Sequence, residues 1–146
     1  MSNEVYDKLI DNLMRVGGAI PILKSDEFTA LIKELFSPEE ADLAAGMPLG
    51  MTSVEDISGQ VDRPTEEILP LLESMADKGL VFHQARNDKP HYRLMAVLPG
   101  FFEFQFMKGG TTERDYRLAR LFKAYLEKMA ELTAGANIEL LRKITP

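Results

Sequence analysis

Two histidines, His83 and His91, sit in neighbouring runs of β-type composition, so a hairpin would bring them close together. A metal site there needs a third ligand, and Asp88 and Glu103 are the nearest carboxylates in sequence. Strand histidines without a metal are the commoner arrangement. Glu39, Glu40 and Asp42 could serve acid–base chemistry as clustered carboxylates, but helix capping explains the first two better. Glu103 lies among Phe101, Phe102, Phe104 and Phe106, either on an exposed stripe or buried with a hydrogen-bonding partner. There is no phosphate-cradling glycine loop, no H-E-x-x-H and no nucleophile elbow. With no cysteine, these residues offer no disulfide, zinc finger or iron–sulfur ligation. The residues therefore describe a non-catalytic chain with no cofactor of its own.

A second kind of chemistry is nucleic-acid contact. Arg86, Asn87, Lys89 and Arg93 make a small basic patch around the tip of the expected hairpin. The helix before it would turn Thr65, Glu66, Leu69 and Glu73 toward a DNA groove. Glutamate can accept from cytosine N4 but repels phosphate, and Leu69 suits a protein contact as well as a thymine methyl. Residues 25–109 carry 15 acidic and 7 basic side chains, a net −8 within a chain of −6. Phosphate contacts dominate nucleic-acid affinity, so this balance disfavours DNA.

The elements that must position these residues can be read from caps and apolar spacing. Residues 4–16 form an amphipathic helix on Tyr6, Leu9, Ile10 and Leu13, ended by Gly17-Gly18 and followed by an apolar linker. Ser25 caps a helix with the stripe Phe28, Leu31, Ile32, Leu35 and Phe36. Ser37-Pro38-Glu39-Glu40 combines an N-cap serine, an N1 proline and an N3 glutamate, opening a short helix that ends at Gly46.

Thr52, with Glu55 three residues on, predicts the next N-cap, and Val54, Ile57 and Val61 its apolar side. Asp62-Arg63-Pro64 breaks that helix and starts another, with Pro64 in the first turn, core positions Ile68, Leu71, Leu72 and Met75, and Gly79 at the end. Pro70 should bend this helix, or else the helix starts near Pro70. Strands follow at 80–85 and 91–98 around a tip at 86–90. This order is a winged helix-turn-helix within a mainly α, α+β chain.

Pro99-Gly100 leads into the phenylalanine-rich run, and 112–132 is the longest helix, with the seam Leu118, Phe122, Tyr125, Met129 and Leu132. Arg114, Arg117 and Arg120 lie mostly off that seam. The expected organisation is an N-terminal helix and linker (1–24), a winged helix-turn-helix domain (25–109) and a C-terminal helical arm (110–146). Phe101, Phe102, Phe104 and Phe106 are either a short helix or strand buried between the domain and a terminal helix or, with the seam, a partner or dimer surface, because dense apolar patches are seldom left in water. Two copies would bury their seams together, since the capped helices of one domain carry charge on their outer faces. No run is long and apolar enough to span a membrane, and no secretory signal is visible; the cytoplasm is the expected compartment.

Three runs carry a family resemblance: Leu35-Phe36-Ser37-Pro38-Glu39-Glu40-Ala41, Met75-Ala76-Asp77-Lys78-Gly79-Leu80-Val81-Phe82, and Pro99-Gly100-Phe101-Phe102-Glu103-Phe104-Gln105. In that order they resemble the N-terminal winged-helix domain of bacterial and archaeal 4Fe-4S ferredoxin-type proteins, over about residues 20–130. The resemblance implies an interaction or dimerisation module, partnered by a second copy or a redox protein. A 4Fe-4S cluster would belong only to a C-terminal ferredoxin module outside these residues. The resemblance thus implies either a shortened form of such a protein or a relative without that module. A winged-helix transcription regulator is the alternative, by analogy of fold alone.

Overall fold

The computed structural model describes residues 2–17, 24–96 and 112–132. It is mainly helical with one small antiparallel sheet. The helices are α1 (Ser2–Val16), α2 (Asp26–Leu35), α3 (Pro38–Ala45), α4 (Val54–Val61), α5 (Thr65–Asp77) and α6 (Glu113–Leu132). The strands are β1 (Thr52–Ser53), β2 (Val81–Arg86) and β3 (Lys89–Leu94), in the order β1-β3-β2. No described helix is long and apolar enough to cross a membrane.

The first three helices follow their caps. Ser25 Oγ accepts from the Phe28 N–H, and α2 buries Phe28, Leu31, Ile32 and Leu35. Phe36 is extended, so the chain passes directly to Ser37, whose capping box with Glu40 is complete. Helix α1 lies mainly on α3, with Tyr6, Leu9, Ile10 and Leu13 buried. Two polar groups set its position. The Tyr6 hydroxyl donates to the Phe36 carbonyl at 2.9 Å. Asn12, only 3% exposed, donates to the carbonyls of Ala44 (2.8 Å) and Met47 (3.1 Å), at and just beyond the end of α3.

The cap of α4 falls one residue later than expected. Thr52 is drawn into β1 opposite Tyr92, and Ser53 Oγ accepts from the Asp56 N–H. Strand pairing thus takes the first hydroxyl residue and leaves the second to cap. Asp62 ends α4 in the left-handed region (φ 56°), a conformation aspartate tolerates. Pro64 is the N-cap of α5 and not part of its first turn; the helix starts at Thr65 and runs through Pro70, which excludes a start at Pro70. At its end Gly79 (φ 77°) carries a Schellman turn, with the Gly79 N–H on the Ala76 carbonyl and the Leu80 N–H on that of Met75.

That turn delivers the chain into β2. The hairpin tip is tighter than expected, because Asn87 and Asp88 both take positive φ and make a two-residue turn of the I′ type. The second strand starts earlier, at Lys89, and ends at Leu94. Pro90 faces Ala85 in the register. The Met95 N–H bonds the Leu80 carbonyl at 3.1 Å, so hydrogen-bonded pairs fall at alternate positions and the Ala85–Pro90 pair needs no proline N–H.

The expectation for α6 requires correction. Leu118 (2% exposed) and Tyr125 (1%) are buried in the chain's own core, and Phe122 and Met129 are partly buried beside it. Tyr125 meets the Phe28 ring at 5.0 Å between centroids, and Arg117 donates to Glu34 at 2.8 Å. The face of α2 toward α6 receives the seam through Phe28, and Glu34 beside it is matched by Arg117. Leu118 and Tyr125 are therefore not an open dimer surface. Phe101, Phe102, Phe104, Phe106 and Glu103 lie outside the described residues, as do the linker at 18–23 and the end of the arm beyond 132. Tyr125→Ala should lower unfolding free energy by about 3 kcal/mol in urea titrations, as a truncated core aromatic does. A contact made only between copies would instead weaken association and leave the unfolding midpoint of the monomer unchanged.

Candidate interaction surface

The surface the sequence singled out is built from α5 and the hairpin that follows it. Val81, Tyr92 and Leu94 are buried, which fixes the inner face of the hairpin. Directly paired residues share a face, so Phe82 with Arg93, Gln84 with His91, and Arg86 with Lys89 occupy the outer one. Arg86, Lys89 and Arg93 are thus brought together and exposed. Arg93 also sits over the Phe82 ring, 5.6 Å from its centroid. Asn87 contributes through its backbone, as the first residue of the turn.

The two histidines do not converge. His83 pairs with Tyr92 and lies on the inner side, its ring 5.7 Å from the tyrosine ring. His91 is on the outer side, with Nδ1 3.0 Å from the Lys89 carbonyl. No group of three candidate metal ligands occurs among the described residues.

Helix α5 presents Glu66, Glu67, Pro70, Glu73 and Asp77 to solvent, with Thr65 and Leu69 half-buried. Arg63 engages Glu67 through Nε at 2.8 Å and Asp42 through Nη1 at 3.3 Å, tying the α4–α5 turn to α3. Glu73 is hydrogen-bonded to Tyr92. Burial, and then the Glu73 charge and hydrogen bond, raise the tyrosine's pKa. The surface therefore has an acidic helix and a basic hairpin side by side. A cleft of about 330 Å³ opens between α1 and β3, where its lining includes Arg15, Val16, Leu49, Arg93 and Met95.

Of the three clustered carboxylates, Glu39 and Asp42 are exposed, while Glu40 is only 2% exposed. Its oxygens accept from the Ser37 N–H (2.9 Å), Ser74 Oγ (2.7 Å) and Lys78 Nζ (2.5 Å). Lys78 also donates to the Leu35 carbonyl at 3.0 Å. Burial pushes the Glu40 carboxyl up, but the hydrogen bonds from Lys78, Ser37 and Ser74 and the lysine charge outweigh it and hold the pKa below its ordinary value. The capping role was legible in the sequence; the tie to α5 was not. A signal existed, because Ser74 and Lys78 stand four apart on one side of α5. Phe82, 46% exposed beside Arg93, was likewise missed as part of the surface.

The chain matches no family model, no curated protein and no solved structure.

Since the Glu40 pKa is lower folded than unfolded, its contribution is fully present above the unfolded value, about 4.3. It is lost as pH falls through the folded value. Glu40→Gln should cost about 3 kcal/mol at neutral pH, because it leaves Lys78 part-buried beside a neutral amide. Urea titrations across pH should show the gap between the two proteins narrowing below about pH 4. A gap that stays constant through the acid range would contradict the ionic role.

Proposed function

We propose that this chain is a non-catalytic winged-helix interaction module, of the kind its sequence resembles at the N-terminus of 4Fe-4S ferredoxin-type electron-transfer proteins. The order α4, turn, α5, β2, β3, with β1 joining the sheet, supports the winged-helix reading. The observation that carries the functional one is the exposed face of α5, where a DNA reader would place basic or amide side chains and this chain places Glu66, Glu67, Glu73 and Asp77. Docking to a protein tolerates such a face; docking to a phosphate backbone does not. The expected partner is a second copy or a redox protein. A cysteine-free domain suits the reducing cytoplasm, which the proposal takes as its compartment.

One observation favours a second reading, a winged-helix transcription regulator: Arg86, Lys89 and Arg93 are exposed together on the outer face of the wing. Fluorescence anisotropy with duplex DNA at stepped salt separates the two. The interaction module should show only weak, sequence-independent binding near physiological salt, with Kd no tighter than about 10⁻⁶ M. Any residual affinity should fall on replacing Arg86, Lys89 and Arg93 by alanine, with a salt slope smaller by about 1 per residue. Sequence-specific binding at roughly 10⁻⁸ M or tighter would establish the regulator and end the module reading.

A further inference from the structure

In the sheet, β3 is central, β1 covers part of its far side, and no described strand lies beside the other edge of β2. Because Leu80 is bonded to Met95, the even-numbered residues of β2 exchange backbone bonds with β3. Val81, His83 and Ala85 therefore point their N–H and C=O groups outward. Across its six paired residues this edge carries no proline, no lysine and no bulge, and its one formal charge, Arg86, stands at the tip. Every residue of β2 after Val81 is exposed.

We propose that β2 is the pairing edge for a second copy of this chain, joining two three-stranded sheets into one antiparallel six-stranded sheet about a two-fold axis at His83. The inference rests on the interaction-module reading and names its partner. Only this register uses all three outward residues of each strand: His83 faces its own equivalent, and Val81 faces Ala85 in both directions. Side chains agree with it. The exposed Phe82 stands opposite Gln84 of the second copy and diagonal to its Phe82, giving each ring apolar cover on the outer face. Charges are compatible with it as well: Arg86 falls opposite Leu80 of the second copy, so the two basic tips lie at opposite ends of the joined strands and their like charges are kept apart.

Sedimentation velocity on the full chain, from about 1 to 200 μM, should show mass rising from that of a 16.4 kDa monomer toward twice that value. Ala85→Pro removes one outward N–H per copy without touching the bonds to β3, and should raise the dimer Kd at least about tenfold. Ala85→Val keeps the N–H and should leave dimerisation intact. Should Ala85→Pro not fold, amide exchange on the unmodified chain decides the matter. Protection of Val81, His83 and Ala85 should increase with concentration while that of Phe82 and Gln84 stays constant. A chain that remains monomeric throughout, a folded Ala85→Pro variant that dimerises normally, or odd-numbered amides indifferent to concentration would each overturn the proposal. These failures are distinct from failure of the module reading: a monomer that ignores DNA refutes the dimer alone, whereas tight specific DNA binding refutes the module.

Discussion

The carboxylate of Glu40 is the contact on which the arrangement of α2, α3 and α5 depends. A charge removed from water is tolerated only where its lone pairs find donors and its charge finds a partner. Here the donors come from two elements: the Ser37 N–H at the start of α3, and Ser74 and Lys78 near the end of α5. Lys78 then extends the tie to the last carbonyl of α2 at Leu35. Apolar packing can slide by small amounts at little cost, whereas this group holds three helix termini to within hydrogen-bond tolerance. The constraint passes on along the chain, because Lys78 immediately precedes the Gly79 turn that launches β2. The start of the hairpin is therefore tied to a largely buried ion pair between Glu40 and Lys78.

Local signals made most helices legible. Ser25 and the Ser37–Glu40 box act as the sequence implied, because a cap is chosen among residues a few positions apart. The errors arise where a distant partner competes. Thr52 and Ser53 are equivalent caps on local grounds, and only the pairing of Thr52 with Tyr92 decides between them. The same limit explains α6. Its seam was plain, but whether it faced a second copy or its own chain depended on the breadth of the apolar face of α2, which Phe28, Leu31, Ile32 and Leu35 define only once α1 and α6 are placed around them.

Surface chemistry was legible where it depends on residue type. The acidic α5 and the basic hairpin follow from composition and from the helix and hairpin periods. What sequence could not supply was the parity of the hairpin, which turns on the Asn87-Asp88 tip being two residues long. One residue more in that turn would have exchanged the faces, moving Phe82 inward and Val81 outward relative to Arg93 and Leu94. The separation of His83 from His91 onto opposite faces has the same origin.

The division of charge over α5 and the hairpin also constrains how any partner can approach. A uniformly charged polymer laid across both would gain at Arg86, Lys89 and Arg93 and lose at Glu66, Glu67, Glu73 and Asp77, so its orientation would be poorly fixed. A partner carrying both signs gains at each half only in one orientation, and every reversed orientation brings like charges together. Arg63 engages Glu67 and Asp42, which offsets part of the charge at the start of α5 and ties the α4–α5 turn to α3. On this surface the exposed cations Arg86, Lys89 and Arg93 belong to the hairpin, and the exposed carboxylates Glu66, Glu67, Glu73 and Asp77 to α5. Such a surface favours a partner of matching, two-signed pattern over one of uniform charge.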